Sequence, residues 1–186
     1  MNRLPTLSTV EIAADRVVLR KLRAADRDGI IELQTDAEVW AHLGGPQPRE
    51  AIERRLDEIS LDNTTASPDS FVVADRATDD FLGTVELKRR AAELPGHVTE
   101  DGGELELGYV MRRASWGTGL AFEAATAVLR TAAAELPDQP VLIVTQTANE
   151  RSLRLAARLG FRPVSTFEQY GAEQTLGVAA LHSFRT

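Results

Sequence analysis

Glu106-Leu-Gly-Tyr-Val-Met-Arg-Arg-Ala-Ser-Trp-Gly-Thr-Gly-Leu-Ala121 is the most informative segment of the chain. Its apolar first half is typical of a strand over residues 105–111, and Gly117 and Gly119 then precede a helical pattern. Glycine lets backbone N–H groups turn inward, and a helix N-terminus adds unpaired N–H donors and a partial positive charge. The segment therefore predicts a strand, an anion-binding loop suited to a pyrophosphate, and a helix. A tight turn without a ligand is the alternative that two glycines alone leave open.

A second marker lies downstream at Asn149-Glu-Arg-Ser152. It follows an apolar run that predicts a strand over residues 140–146, and it opens a predicted helix over residues 150–159 that ends at Gly160. Asn and Ser are favoured at helix N-caps, so capping is the simplest interpretation of both residues.

Hydrophobic periodicity around these two segments predicts the remaining elements. Leading helices followed by mostly antiparallel strands, with helices crossing between the later ones, predict one mixed α+β domain over residues 1–186. Helices are predicted at 24–35, 36–43, 48–61 and 121–136. Strands are predicted at 16–22, 71–73, 81–87, 161–170 and 174–184, with a polar loop at 62–69 and a long hairpin loop at 91–103.

Composition excludes several function classes. The chain has 186 residues and no cysteine, which excludes disulfides, thiolate metal sites and a cysteine nucleophile. Its three histidines are far apart in sequence, so no metal site is expected. A formal net charge of −7 disfavours nucleic acid and favours a cationic substrate. There is no apolar run long enough for a membrane span, so we expect a soluble, cytoplasmic protein without a membrane partner.

In their order and spacing, these segments resemble the GNAT superfamily of acetyl-CoA-dependent N-acetyltransferases, over about residues 16–184. The chain is most similar to the subgroup that acetylates the N-termini of ribosomal proteins, the RimJ/RimL type. The resemblance implies a central, mostly antiparallel twisted sheet that splays at the cofactor site. It also implies acetyl-CoA as the acetyl donor and a primary amine as the acceptor. The segments that carry it are Val17-Val18-Leu19-Arg20 with Ala25-Asp26, Glu38-Val39 before Leu43-Gly44-Gly45, Glu106 to Tyr109, Trp116 to Ala121, Asn149-x-x-Ser152 and Leu159-Gly160-Phe161.

The resemblance also implies a set of cofactor-binding residues. The family's loop pattern is Gln/Arg-x-x-Gly-x-Gly/Ala, which Gly119 and Ala121 match. Trp116 stands at its first position, as in many RimL-like members. A backbone N–H near Met111 is implied to polarise the thioester carbonyl. The full set is Val110, Met111, Trp116, Gly117, Thr118, Gly119, Leu120, Ala121 and Asn149.

Catalytic roles follow from the resemblance in the same way. Glu106 is implied to be the general base, directly or through water, and a structural salt bridge is the alternative for this residue. Glu104 is its rival, because residues two apart on a strand face the same side. Many members carry a tyrosine acid at the position of Ala156, and that tyrosine is absent here. The resemblance to RimL-like members therefore implies Ser152 as the group that relays a proton to the CoA thiolate.

The acceptor is the least determined part of the function. We expect its specificity to come from residues 36–61, 91–103 and 169–177, since variable loops on a rigid scaffold hold such determinants. Trp40 and His42 are candidates to line an acceptor pocket or to pack against the sheet. A protein N-terminus is the favoured acceptor. The alternatives are a small amine such as a polyamine as the acceptor, or a module that binds acyl-CoA without catalysis. The final strands are candidates to pair in a homodimer.

Overall fold

A computed structural model describes residues 5–59 and 68–185 of the chain. Within them, eight strands form one mixed sheet that is flanked by four α-helices. The strands are β1 (Ile12–Ala13), β2 (Val17–Arg20), β3 (Ser70–Asp75), β4 (Phe81–Arg89), β5 (Leu105–Met111), β6 (Pro140–Gln146), β7 (Arg162–Gln169) and β8 (Ala172–Ala180). The helices are α1 (Arg27–Thr35), α2 (Arg49–Glu58), α3 (Leu120–Glu135) and α4 (Glu150–Leu159).

The sheet order is β1-β2-β3-β4-β5-β6-β8-β7, and every neighbouring pair is antiparallel except β5 and β6. Those two strands are parallel because α3 crosses between them. They pair only at Leu105 with Val141 and at Glu106 with Leu142, whereas β4 pairs with β5 along its whole length. The sheet is therefore open between the second half of β5 and the second half of β6.

Two hydrophobic clusters cover the two faces of the sheet. Val128 and Leu129 of α3 are fully buried against one face. Ile31 of α1 and Ile52 of α2 pack with Val72 on the other face. Each such side chain contributes about 1.5–3 kcal/mol by leaving water. The strands beside the opening are therefore held in place by helices that pack on both faces of the sheet.

A buried ion pair sets the start of α1. Arg20 at the end of β2 donates to the Asp26 carboxylate at 2.8 Å, and both side chains are almost inaccessible to water. Asp26 also accepts a hydrogen bond from the backbone N–H of Arg23. The carboxylate thus closes the turn from which the helix begins.

The residues before β2 form an N-terminal strap, residues 8–16, which holds both ends of α3. Ser8 and Thr9 donate hydrogen bonds to Glu135 in the last turn of the helix. Arg16 forms an ion pair with Glu123 in the first turn, and it also donates to the carbonyl of Thr118. The position of α3 is therefore fixed by side chains that lie more than a hundred residues away in sequence.

Most predicted elements are confirmed, and β5, β6 and α4 have the predicted bounds. The helix predicted at 36–43 is wrong, because residues 37–44 form successive turns. Asp36 accepts hydrogen bonds from the N–H groups of Glu38 and Val39, which closes a turn instead of a helix. Gly44 and Gly45 then adopt positive φ angles and end the segment.

The predicted final strand is too long. It ends at Ala180, and Leu181–Phe184 form a 3-10 turn. Leu181 donates its N–H to the carbonyl of Gln139, and its buried side chain joins the cluster beneath α3. Strand β1 was not predicted, since two residues leave no period to read. Of the predicted loop at 62–69, residues 62–67 lie outside the described residues, as do residues 60–61 of the helix predicted at 48–61.

Throughout residues 5–59 and 68–185, no helix combines the length and the apolar character needed to cross a bilayer.

Candidate active site

A cavity of about 870 Å³ lies where β5 and β6 diverge. One wall is the second half of β5, from Leu107 to Met111. The other walls are formed by the turn before α3, the end of β6, the exposed face of α4, residues 38–43 and Glu86. A single cavity therefore joins the predicted anion loop to the segment predicted to bind the acceptor.

The predicted anion loop has the backbone geometry of a cradle. Gly117 and Gly119 have φ angles of 75° and 81°, a region that side chains with a Cβ rarely adopt. Gly119 is the N-cap of α3, and the first N–H that bonds within the helix is that of Glu123. The preceding N–H groups therefore stay available to an anion, as the positive end of the helix dipole favours. These features fit the pyrophosphate of CoA.

Arg16 and Thr118 stabilise this loop from below. Arg16 Nη1 donates to the Thr118 carbonyl at 2.9 Å, and Thr118 Oγ1 donates to the carbonyl of Ser115. A Cβ on Gly119 would lie 3.3 Å from Arg16 Nη2, so the arginine closes one side of the turn. Leu120 is the first residue of α3 and packs against the main hydrophobic cluster. Of these predicted cofactor residues, Thr118 and Leu120 are thus placed to support the loop by packing and internal hydrogen bonds.

Trp116 connects the loop to the end of β5. Its indole N–H donates to the carbonyl of Met111 at 3.0 Å. The guanidinium of Arg151 lies over the indole ring, 3.8 Å from its centre, a cation–π contact. Trp116 therefore fixes the loop relative to the strand and orients an arginine at the cavity.

Three arginines on α4 line the cavity: Arg151, Arg154 and Arg158. Their spacing of three and four residues places them on one face of the helix. Arg158 also stacks on Phe122, with its guanidinium 4.2 Å from the ring centre. Guanidinium groups suit phosphate oxygens. These arginines are not among the site residues predicted from the sequence, although their helical spacing next to the anion loop indicates a cationic surface there.

Asn149 and Ser152 combine capping with a second contact. The Asn149 side chain accepts from the Ser152 N–H at 3.1 Å, which is the N-cap interaction. The Ser152 hydroxyl, however, lies 2.8 Å from the hydroxyl of Tyr109, across the gap between β5 and α4. Ala156, the position at which the resemblance implied a tyrosine that this sequence lacks, is a buried core residue. Tyr109 thus brings a phenol to the cavity wall from a different element.

The environment of Tyr109 keeps it protonated. Burial raises the pKa of Tyr109 above its ordinary value of 10, and the hydrogen bond with Ser152 offsets part of this effect. A phenol of this kind carries its proton throughout the neutral range, so it can act as a donor. The sequence predicts only that Tyr109 lies on the cofactor strand, because its contact with α4 depends on the open sheet.

Glu106 lies on the opposite face of β5 from Tyr109. Its carboxylate accepts from Arg90 Nη1 at 2.8 Å, and only 3% of the Arg90 side chain is exposed. Arg90 also donates to the carbonyl of Pro95 and to Gln169 Oε1, so it ties the loop at 91–103 and β7 to this face. The sheet carboxylate that lines the cavity is instead that of Glu86 on β4.

Glu104 has a separate, structural environment. It is 4% exposed and accepts hydrogen bonds from His97, from the N–H groups of Val98 and Thr99, and from the Thr99 hydroxyl. Burial raises its pKa, but these hydrogen bonds outweigh burial and hold the pKa of Glu104 at about 2, below the ordinary 4.5. The carboxylate therefore anchors the loop at 91–103.

We expect Glu104→Gln to lower the free energy of unfolding at neutral pH by about 3 kcal/mol at most, since a pKa lowered from 4.5 to about 2 stabilises the fold by about that amount. A lowered pKa stabilises the fold above the unfolded pKa, and this stabilisation is lost as the pH falls through the folded value. The deficit of the variant should therefore shrink below about pH 4.5 and vanish near pH 2. Urea unfolding across this range measures it. A deficit independent of pH would contradict the anchoring role.

The segment at 38–43 forms another wall of the cavity. His42 Nδ1 lies 3.3 Å from Gln146 Oε1 at the end of β6, so the segment contacts the other half of the open sheet. Trp40 lines the cavity and donates its indole N–H to the carbonyl of Leu33. Trp40 therefore meets both expectations, packing and lining. The segments at 91–103 and 169–177 do not line this cavity in the part of the chain that the structure describes.

Comparison with known proteins agrees with this geometry. Residues 16–162 match the family model described as "Acetyltransferase (GNAT) domain". The chain is 23% identical over 162 residues to the uncharacterized N-acetyltransferase p20 of Bacillus licheniformis, covering 84% of each chain.

Solved structures share the fold. An acetyltransferase of the GNAT family from Bacillus anthracis superposes with a TM-score of 0.74 at 18% identity, over 92% of this chain and 99% of that one. A spermidine N-acetyltransferase from Vibrio cholerae, solved with CoA and spermine, gives a TM-score of 0.66 at 16% identity, with the same coverage. Together with the cavity and its anion loop, these matches show that the chain belongs to the GNAT family of acetyltransferases, which use acetyl-CoA as the acetyl donor.

Proposed function

We propose that this protein transfers the acetyl group of acetyl-CoA directly to the primary amine of a protein or peptide N-terminus, as RimJ/RimL-type enzymes do. The observation that carries the proposal is the single cavity that joins the anion loop to residues 38–43. Both substrates can lie in it at once, which direct transfer in a ternary complex requires. The chain has no cysteine to carry the acetyl group.

The donor would be held along three elements. The N–H groups from Gly117 to Ala121 would bind the pyrophosphate, with Arg151 and Arg158 near the phosphates. The backbone at Val110 and Met111, exposed by the divergence of β6, would pair with the pantetheine arm. Asn149 caps α4 beside this arm. When bound, acetyl-CoA supplies the thioester whose carbonyl a β5 N–H polarises.

Proton transfers are assigned to groups on both faces of β5. Glu106 acts as the base and removes a proton from the acceptor amine through a water molecule. The water is needed because the Glu106 carboxylate is hydrogen-bonded to Arg90 and does not line the cavity. The neutral amine forms the C–N bond, and the C–S bond to CoA breaks. Tyr109, hydrogen-bonded to Ser152, protonates the departing thiolate. Over one cycle the protonated amine loses two protons. One is matched by the proton that the CoA sulfur gains, and the other is released to solvent.

Release of CoA thiol tests the proposal. Acetyl-CoA is offered with peptides that begin with Ala, Ser or Met, with free amino acids, and with polyamines and aminoglycosides. We expect release with one peptide class and mass-spectrometric acetylation at its N-terminus. Silence with every amine, with acetyl-CoA still bound, would favour a binding module without catalysis.

A polyamine is the second candidate acceptor, and one observation favours it. Glu38 and Glu86 both line the cavity, and carboxylates suit an acceptor with several positive charges. The spermidine N-acetyltransferase from Vibrio cholerae shares the fold. In the same panel, release with spermidine and not with peptides would select this candidate.

The proposal also covers location and assembly. The absence of cysteine is compatible with a reducing cytoplasm. Strand β7 lies at the edge of the sheet, and most of its residues are exposed. An edge strand leaves backbone groups free to pair, so a homodimer through β7 is the proposed assembly.

A further inference from the structure

One carboxylate in the cavity wall takes no part in the proton transfers described above. Glu86 lies on β4 directly opposite Gly108 of β5. Gly108 is two residues beyond Glu106, the last residue of β5 that pairs with β6. Glu86 is therefore level with the start of the opening in the sheet, where the donor's thioester would lie.

The absence of a side chain at Gly108 leaves room for the Glu86 carboxylate. A Cβ on Gly108 would come 3.0 Å from Glu86 Oε1 and 3.1 Å from Glu86 Cγ. The Glu86 side chain thus lies over the glycine, in the space that a larger residue would fill. Because paired residues of an antiparallel ladder share a face, Glu86 lies on the same side of the sheet as Glu106 and Lys88.

The present partner of Glu86 is exchangeable. Lys88 Nζ lies 2.6 Å from Glu86 Oε1, and the two side chains are 52% and 37% exposed. An ion pair this exposed contributes little to stability, so a substrate cation can replace the lysine at small cost. The contact also shows that the site accepts an ammonium group of the same chemistry as a primary amine in its protonated form.

The charges along the cavity point in the same direction. Arg151, Arg154 and Arg158 contribute positive charge from α4, where Glu150 pairs with Arg154, whereas Glu38 and Glu86 contribute negative charge from the segment after α1 and from β4. A phosphate-bearing donor would therefore be attracted to the α4 arginines, and a cationic acceptor to Glu38 and Glu86.

We infer that Glu86 binds the ammonium group of the acceptor amine beside the thioester, in exchange for Lys88. This inference rests on the proposed amine acetylation and deepens it. It makes the acceptor an amine that enters as a cation, such as a peptide N-terminus or a polyamine, rather than an arylamine that is neutral at physiological pH. Glu86 binds and positions the nitrogen, while proton removal stays with Glu106 and water.

Two variants test the inference by calorimetry on the CoA-saturated enzyme, with an Ala-starting peptide and spermidine as probes. Glu86→Gln should lower the affinity for the amine that the wild type binds by about tenfold or more, because an ion pair is lost. Lys88→Met removes the same ion pair but leaves the carboxylate, so its affinity should be unchanged or higher. Affinity for CoA should be the same in all three proteins.

Several results would overturn the inference. Equal amine binding by the wild type and Glu86→Gln would do so, as would an equal loss in Lys88→Met, which would mark a structural ion pair. A wild-type enzyme that binds neither cation would also overturn it. Failure of the proposed function looks different: amine binding that depends on Glu86 without any release of CoA thiol. In turnover, Glu86→Gln should raise the KM of the amine and leave kcat within about threefold.

Discussion

Tyr109→Phe is expected to lower kcat about a hundredfold, with the affinity for acetyl-CoA within about twofold of the wild type. The phenol lies at the cavity wall, 2.8 Å from the Ser152 hydroxyl, and burial raises its pKa. Phenylalanine keeps the ring and its packing but removes the proton that the thiolate would receive. Steady-state kinetics, combined with calorimetric titration of acetyl-CoA, separate the loss in kcat from a loss in binding.

Ser152→Ala is the matched control for this experiment. It removes the hydrogen-bond partner of Tyr109 but leaves the phenol and the Asn149 cap, which uses the Ser152 backbone. We expect a smaller fall in kcat, about fivefold, because only the orientation of the phenol is affected. Full activity in Tyr109→Phe, or an equal and large loss in both variants, would move the donor role to Ser152 or to water.

Glu106→Gln is expected to lower kcat about a hundredfold and to change the affinity for acetyl-CoA far less. Glutamine has the same shape but does not accept the proton of the acceptor, directly or through water. The change also leaves the buried guanidinium of Arg90 without its charged partner. Stability will therefore fall as well, and kinetics must be measured well below the unfolding temperature of the variant.

Arg90→Gln separates these two effects. It breaks the same ion pair and releases the loop at 91–103, but it keeps the carboxylate of Glu106. We expect a comparable loss of stability with a much smaller loss of kcat. If both variants lose kcat to the same extent, Glu106 acts only by holding Arg90 and its loop, and the base is another group.

The sequence predicted the elements that carry the site, because their signals are local. The apolar run of β5, the glycines before α3 and the N-cap of α4 each depend on a few adjacent residues. The segment after α1 was predicted incorrectly because its prediction, too, depended on local signals alone. Its composition suits a helix, but the Asp36 side chain competes with the helical backbone bonds.

The contacts between distant elements could not be predicted in the same way. Glu104 and Glu106 share a face by strand periodicity, yet one is enclosed by the loop at 91–103 and the other is paired with Arg90. The position of Glu86 beside the opening in the sheet depends on the register of β4 against β5. The meeting of Tyr109 with Ser152 depends on how far β6 leaves β5. None of these distances is encoded in the spacing of a single segment.

The N-terminal strap has a consequence for the growing chain on the ribosome. Arg16 is synthesised 107 residues before its partner Glu123, and Ser8 precedes Glu135 by 127 residues. Contacts over such separations form late, since the entropy of closing the loop must be overcome first. The turn at Gly117–Gly119 acquires its supporting guanidinium only when α3 has emerged. A nascent chain that stops earlier can bury the cluster of α1 and α2, but it has no finished site for a nucleotide.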